Sequence, residues 1–203
     1  MLLELLQLAD SALPVGGASH SFGLEALVEE GILEPHNLTA FLCDYLAEAG
    51  RMEAAFVRAA RRGGCPEVLS AELGARRPAR ESREASLKIG RRFAGLFQAL
   101  TGVCLSPELY YPVAFGAAGG ALAIPEEPLA QAYLQQSVTG LVSACQRLMP
   151  LGQVAAGRLI WNLRPAILGA VSKSEGLECP CFTPLPELAS MRHAWMETRL
   201  FIS

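Results

Sequence analysis

Val113–Ala123 constrains the fold of this chain more than any other stretch. It is apolar on every side and holds Gly116, Gly119 and Gly120. A helix with no polar face must be surrounded by other elements, and glycines let neighbouring backbones come close. The segment therefore predicts a central core helix, and the flanking sequence supplies the helices that would enclose it. Pro125 with Glu126 and Glu127 starts the next one, whose seam of Leu134, Val138, Leu141, Val142, Cys145 and Leu148 ends at Pro150. Upstream, Asn37 caps a pattern running through Leu38, Phe41, Leu42, Tyr45, Leu46, Met52, Phe56 and Val57 to Gly63-Gly64. Cys65-Pro66 opens a short helix to Leu73. Pro78 suits the first turn of another, with Leu87, Phe93, Leu96, Phe97 and Leu100 as its stripe. Gln153–Leu163, a short helix to about Val171, and a last helix from about Leu185 with the stripe Leu188, Met191, Trp195 complete the set. No alternating pattern is long enough to build a sheet, so the fold class is all-α, a single-domain multi-helix bundle over 1–203.

The N-terminal segment is organised differently. An apolar run, Leu2 to Leu8, leads into Asp10-Ser-Ala-Leu-Pro-Val-Gly-Gly-Ala-Ser-His-Ser-Phe-Gly-Leu-Glu25. Pro14 fixes its own φ and pushes Leu13 out of the helical region, while Gly16 and Gly17 admit conformations closed to other residues. Ser19 or Ser21 is positioned to cap a helix over Phe22–Glu30, with Glu25 in its first turns against the dipole. The reading is helix, sharp loop, helix, with one imidazole, His20, at the bend.

Several chemistries lack their residues. Gly169-Ala-Val-Ser-Lys173-Ser174 is not a phosphate-binding loop, because Ser172 replaces the second glycine and the spacing is one residue short. Asp10 and Asp44 are the only aspartates, so aspartate-rich magnesium motifs are absent. His20, His36 and His193 are far apart and none has zinc spacing with another. Cys179-Pro-Cys181 is the one thiol pair, and with no nearby histidine it makes a poor closed metal site. Ser19-His20-Ser21 has no orienting acid and no nucleophile elbow. No catalytic constellation, cofactor site or metal site emerges, which suits a binding or scaffold protein.

Charge is uneven: residues 51–92 hold eleven Lys/Arg against five Asp/Glu in a chain of net charge −3. A solvated helix face is the first reading, an acidic protein partner the second and nucleic acid the third, since aromatics for base stacking are scarce there. With 51% hydrophobic residues the chain has apolar surface to spare for a partner or a second copy. The N-terminus shows no basic n-region, and no charge-free window reads as a membrane span, so a cytoplasmic protein with reduced cysteines is expected.

Four segments in order carry a resemblance. Asp10–Gly17 with Ser19–Glu25, Tyr111-Pro-Val-Ala-Phe-Gly-Ala117, Ser137–Ala144 with Pro150–Gln153, and Met191-Arg-His193 with Thr198-Arg-Leu-Phe201 and Ser203 together resemble the UreF family of urease accessory proteins. Ala18, Ala194 and Ile202 depart from the family pattern. The resemblance implies an all-α homodimer that binds the accessory protein UreD (also called UreH) and the GTPase UreG. That complex promotes nickel insertion into apo-urease, and the chain itself would be neither enzyme, membrane protein nor nucleic-acid binder. It also implies partner-binding roles for Pro14, Gly16, Gly17, Ser19, His20, Ser21, Glu25, His193, Arg199, Leu200 and Phe201. The tail, about 197–203, is expected to dock the UreD-like partner and to be dispensable for folding. A helical adaptor of another assembly and a small helical enzyme are the alternative readings.

Overall fold

Tyr111–Ala121 (α7) lies at the centre of the molecule, starting two residues before the expected position because Pro112 fits its first turn. Pro112 to Gly116, Ala118 and Gly119 are buried. The computed structural model describes residues 1–178 and 181–202. Among these, eleven α-helices and no strand are present, so the fold is all-α. Around α7 stand Arg51–Arg61 (α4), Pro66–Ala75 (α5), Arg80–Thr101 (α6) and Glu126–Leu148 (α8). The remaining helices are Leu2–Leu8 (α1), Leu24–Glu29 (α2), Leu38–Tyr45 (α3), Gln153–Asn162 (α9), Arg164–Ser172 (α10) and Pro184–His193 (α11).

Gly116 explains how α7 can be enclosed so tightly. A Cβ built there would lie 2.3 Å from the Val57 carbonyl oxygen and 2.8 Å from the Ala60 Cβ. The α4 and α7 backbones thus touch, with no side chain between them. Beside this contact Phe93, Tyr111, Phe115 and Tyr133 interlock, with Phe115 to Tyr133 at 5.4 Å edge-on and Phe93 to Tyr111 at 5.5 Å.

The structure departs from sequence expectation at four places. The helix after Asn37 is not continuous, because Leu46–Gly50 forms a π turn between α3 and α4, with Leu46 and Gly50 buried. Asn37 stands at the N-cap position but spends its amide on the preceding loop, accepting from Glu34 N at 2.9 Å and donating to Ile32 O at 2.9 Å. Neither Ser19 nor Ser21 caps α2. Phe22 (φ 52°) and Gly23 (φ 88°) are both left-handed, and Gly23 takes the N-cap position with no side-chain cap. The stripe expected for the last helix is reversed: Ala189, Ser190 and His193 are buried while Leu188 and Trp195 are exposed.

The basic segment is not simply a solvated face. Arg58 is buried, paired with Glu126 and donating to the Val171 carbonyl at 2.9 Å, which ties α4 to α8 and α10. Cys179 and Ser203 lie outside the described residues. Cys181 is half-buried, and burial pushes its thiol up from the usual range.

Gly116→Ala should lower stability by about 1–3 kcal/mol, since a backbone oxygen cannot move aside as a side-chain tip can. Gly95→Ala, on α6 with open space around it, should be neutral or stabilise by up to about 1 kcal/mol. Chemical denaturation of both variants checks the pair; equal stabilities would contradict the contact.

Candidate functional site

The two ends of the chain meet at one buried carboxylate. Glu25, the second residue of α2, is buried at 5% exposure. It can sink there because α11 packs onto the start of α2: a Cβ on Gly23 would come within 2.5 Å of the Pro186 carbonyl oxygen and 3.0 Å of Ser190. His193, the last residue of α11 and 1% exposed, places Nε2 2.6 Å from Glu25 Oε2. The chain then turns and comes back, so that Leu200 N donates to Glu25 Oε1 at 2.5 Å and Phe201 N to Oε2 at 3.2 Å. A carboxylate only accepts, so Nε2 of His193 carries the hydrogen of their bond. Three donors from the C-terminal end thus share one acceptor group from the N-terminal signature.

Neighbouring contacts extend this clasp. Ile202 N donates to the Ser19 carbonyl at 2.8 Å. Phe201 is buried, with the Arg147 guanidinium 4.2 Å over its ring, and Arg147 Nη1 donates to Ala18 O at 2.9 Å. Arg192 pairs with Glu30 at 2.9 Å, pinning α11 from outside.

The structure therefore brings Ser19, Glu25, His193, Leu200 and Phe201 together. Of the other candidates, His20 and Ser21 are buried within the chain, so neither offers its side chain to a partner in this conformation. Gly16 is left-handed at φ 79° and Gly17 opens a short 3-10 turn ending at Ser19. Pro14 and Arg199 are exposed. The tail splits by side chain: Phe201 joins the core, while Leu200 and Ile202 are 59% and 58% exposed. Phe201 thus has an apolar site in its own chain, which argues against a tail dispensable for folding.

Behind the opening loop lies a cavity of about 270 Å³, lined among others by Val15, Gly17, His20, Glu53, Arg77 and Tyr133. Glu53 and Arg77 form a buried ion pair. The Tyr133 hydroxyl donates to Glu53 Oε2 at 2.9 Å, and Tyr45 reaches the same oxygen at 3.4 Å. Burial, then the charge of Glu53, pushes the Tyr133 phenol well above its ordinary range. Glu187 of α11 accepts from Ala79 N at 2.7 Å, and its burial raises its pKa. Sequence reasoning missed this cluster. One signal was available: Glu53 falls in phase with Met52, Phe56 and Val57 on the apolar side of its helix, where a charge needs a partner.

Burial, helped by the charges of Lys88 and Arg92, lowers the His20 pKa to about 4. Among the described residues no group of three or more His, Cys, Asp or Glu is placed to hold a metal ion. No described helix is long and apolar enough to cross a membrane.

Fold and site together define an all-helical domain whose polar side chains close its two ends onto each other beside a partly open cavity. The UreF family model matches residues 32–164. The chain is 32% identical to the urease accessory protein UreF of Paenarthrobacter aurescens, covering 99% of this chain and 97% of that one. It is 35% identical to the UreF of Cereibacter sphaeroides, over 98% and 97% of the two chains. With the UreF of a Nostoc species it shares 35% identity over 99% and 95%. The chain belongs to the UreF family of urease accessory proteins.

Two predictions follow from this geometry. Glu25→Ala removes the acceptor of three donors and strands a buried imidazole. It should cost about 3 kcal/mol, lowering the melting temperature by roughly 6–12 °C and exposing the segment after His193 to limited proteolysis. An unchanged melting curve would show that the clasp contributes nothing. His20 binds a proton more readily in the unfolded chain than in the folded one, from about pH 6.5 down to its folded value near 4. Stability should therefore fall across that window as pH drops, by about 1–2 kcal/mol, since screening discounts the part due to Lys88 and Arg92. His20→Gln should flatten that part of the pH–stability curve.

Proposed function

We propose that this chain is the scaffold of a urease maturation complex. It binds a UreD-like accessory protein, recruits a UreG-like GTPase, and so supports nickel insertion into apo-urease without itself catalysing a reaction. We further assign it to the cytoplasm and to a homodimer, as the sequence expectation has it. Family membership supports the setting, and one observation carries the docking role. The tail backbone is anchored through the Leu200, Phe201 and Ile202 amides, Phe201 points in, and the apolar Leu200 and Ile202 point out. An isolated apolar terminus loses conformational entropy on docking. Here that ordering is done by Glu25 and Ser19 inside the chain, which leaves a preorganised apolar strip for a partner. The exposed Leu188 and Trp195 lie on the same C-terminal segment.

On this reading the opening loop acts indirectly. Ser19 and Glu25 hold the strip in place, while the His20 and Ser21 side chains stay buried within the chain. The experiment is a titration of purified wild type and Leu200→Asp/Ile202→Asp protein against the UreD-like and UreG-like proteins of the same host. Because both side chains are exposed, the variant's melting temperature should stay within about 2–4 °C of wild type. Affinity for the UreD-like protein should fall at least about tenfold, and urease activation in the host should fall with it. Wild-type affinity for both proteins in the variant would remove the docking role of the tail.

A further inference from the structure

A second outward face lies on α9 and α10. Between Glu127 and Glu175 the sequence has no Asp or Glu, yet it carries Arg147, Arg158, Arg164 and Lys173 in a chain of net charge −3. α9 packs on α8 and α10 and buries only Ala156 and Leu159 of its own length. Val154, Arg158 and Trp161, spaced i, i+4 and i+7, fall on one stripe of that helix. Val154 and Trp161 are 69% and 63% exposed. The Arg164 guanidinium stacks 3.2 Å over the Trp161 ring, and its Nε donates to the Trp161 carbonyl at 3.0 Å. Leu168, one turn further along α10, is exposed as well. Among the described residues neither Arg158 nor Arg164 makes an ion pair.

We propose that the Val154–Arg158–Trp161–Arg164 face docks an acidic protein surface carrying an apolar recess for Trp161. Trp and Arg are the residue types that dominate binding energy at protein interfaces, and here each holds the other in position before any partner arrives. Two guanidinium groups with no acid in their own segment call for carboxylates from outside, which speed association and exclude uncharged or basic competitors. A second copy of the chain is a poorer fit. Twofold packing would set the same cations against themselves with no acid within the face. A lipid surface is disfavoured because the inner side of α9 is committed to α8, leaving few large apolar side chains to insert. A single tryptophan is too little for a nucleic-acid stacking platform. The inference rests on the urease-assembly reading for the pool from which the partner comes.

The test uses the full chain against three probes from its host: the UreD-like protein, the UreG-like GTPase and apo-urease, each titrated at low and moderate salt. Arg158→Glu/Arg164→Glu and Trp161→Ala are compared with Arg80→Glu/Arg91→Glu, which makes the same charge change elsewhere. Circular dichroism serves as the folding control. One probe should bind about thirtyfold more weakly to the double reversal and at least about tenfold more weakly to Trp161→Ala. The control should stay within about threefold, and wild-type affinity for that probe should weaken with salt. Full affinity of both face variants for every probe that wild type binds would overturn the proposal. So would loss of a wild-type dimer in the double reversal with every probe still bound, which would make the face a self-contact. Binding to vesicles with about a third anionic lipid, lost in the double reversal while every probe still binds, would overturn it in favour of a membrane. Wild type binding none of the three probes would overturn the assembly reading and this inference with it, whereas failure in the variants alone leaves that reading standing.

Discussion

A carboxylate taken out of water must be met by donors, and Glu25 is met by three from the far end of the chain. This requirement organises the contact between the two ends of the chain. It draws α11 against α2, fixes the orientation of His193 and brings the tail back along the opening loop. Removing any donor leaves a buried charge partly unmet, so the ends are coupled more strongly than an apolar contact of similar area would couple them. The opening loop has the shape this demands: Phe22 and Gly23 are both left-handed, and the second lets α11 approach to backbone contact.

Beneath the clasp, the bundle provides a rigid base. The direct α4–α7 backbone contact at Gly116 fixes the spacing of the central helices, and the rings of Phe93, Phe115 and Tyr133 fill the space beside it. The buried Glu53–Arg77 pair with its tyrosines then crosses from this base toward α11, whose Glu187 holds the start of α6. α11 is thus attached largely by polar and small-residue contacts, with its large apolar side chains left outside. A helix mounted that way is suited to binding rather than to sealing a core.

The parts of this architecture that were legible in the sequence were those written as local periodicity. The enclosed character of α7 followed from its lack of a polar face, and the start of α8 at Pro125 and its end before Pro150 followed from backbone chemistry. The family was legible from its motifs. What the clasp does was not: Glu25 and His193 are 168 residues apart, and no local rule pairs a carboxylate with an imidazole at that distance. The last stripe was misread because Leu188 marks a core face in most helices, whereas here Ala189 and Ser190 permit a closer approach to α2 and α6, and because α11 ends at His193, before Trp195. The serine caps were misread for a related reason, since two left-handed residues had already turned the chain.

The claim that the tail is held by Glu25 as part of the folded chain is tested most directly by hydrogen exchange at the Leu200 and Phe201 amides. If both donate to a buried carboxylate, they should exchange at least about a hundredfold more slowly than the same residues in an unstructured peptide, despite lying at the C-terminus. Exchange of both at the unstructured rate in the isolated protein would contradict the account, since the two ends of the chain would then not be joined.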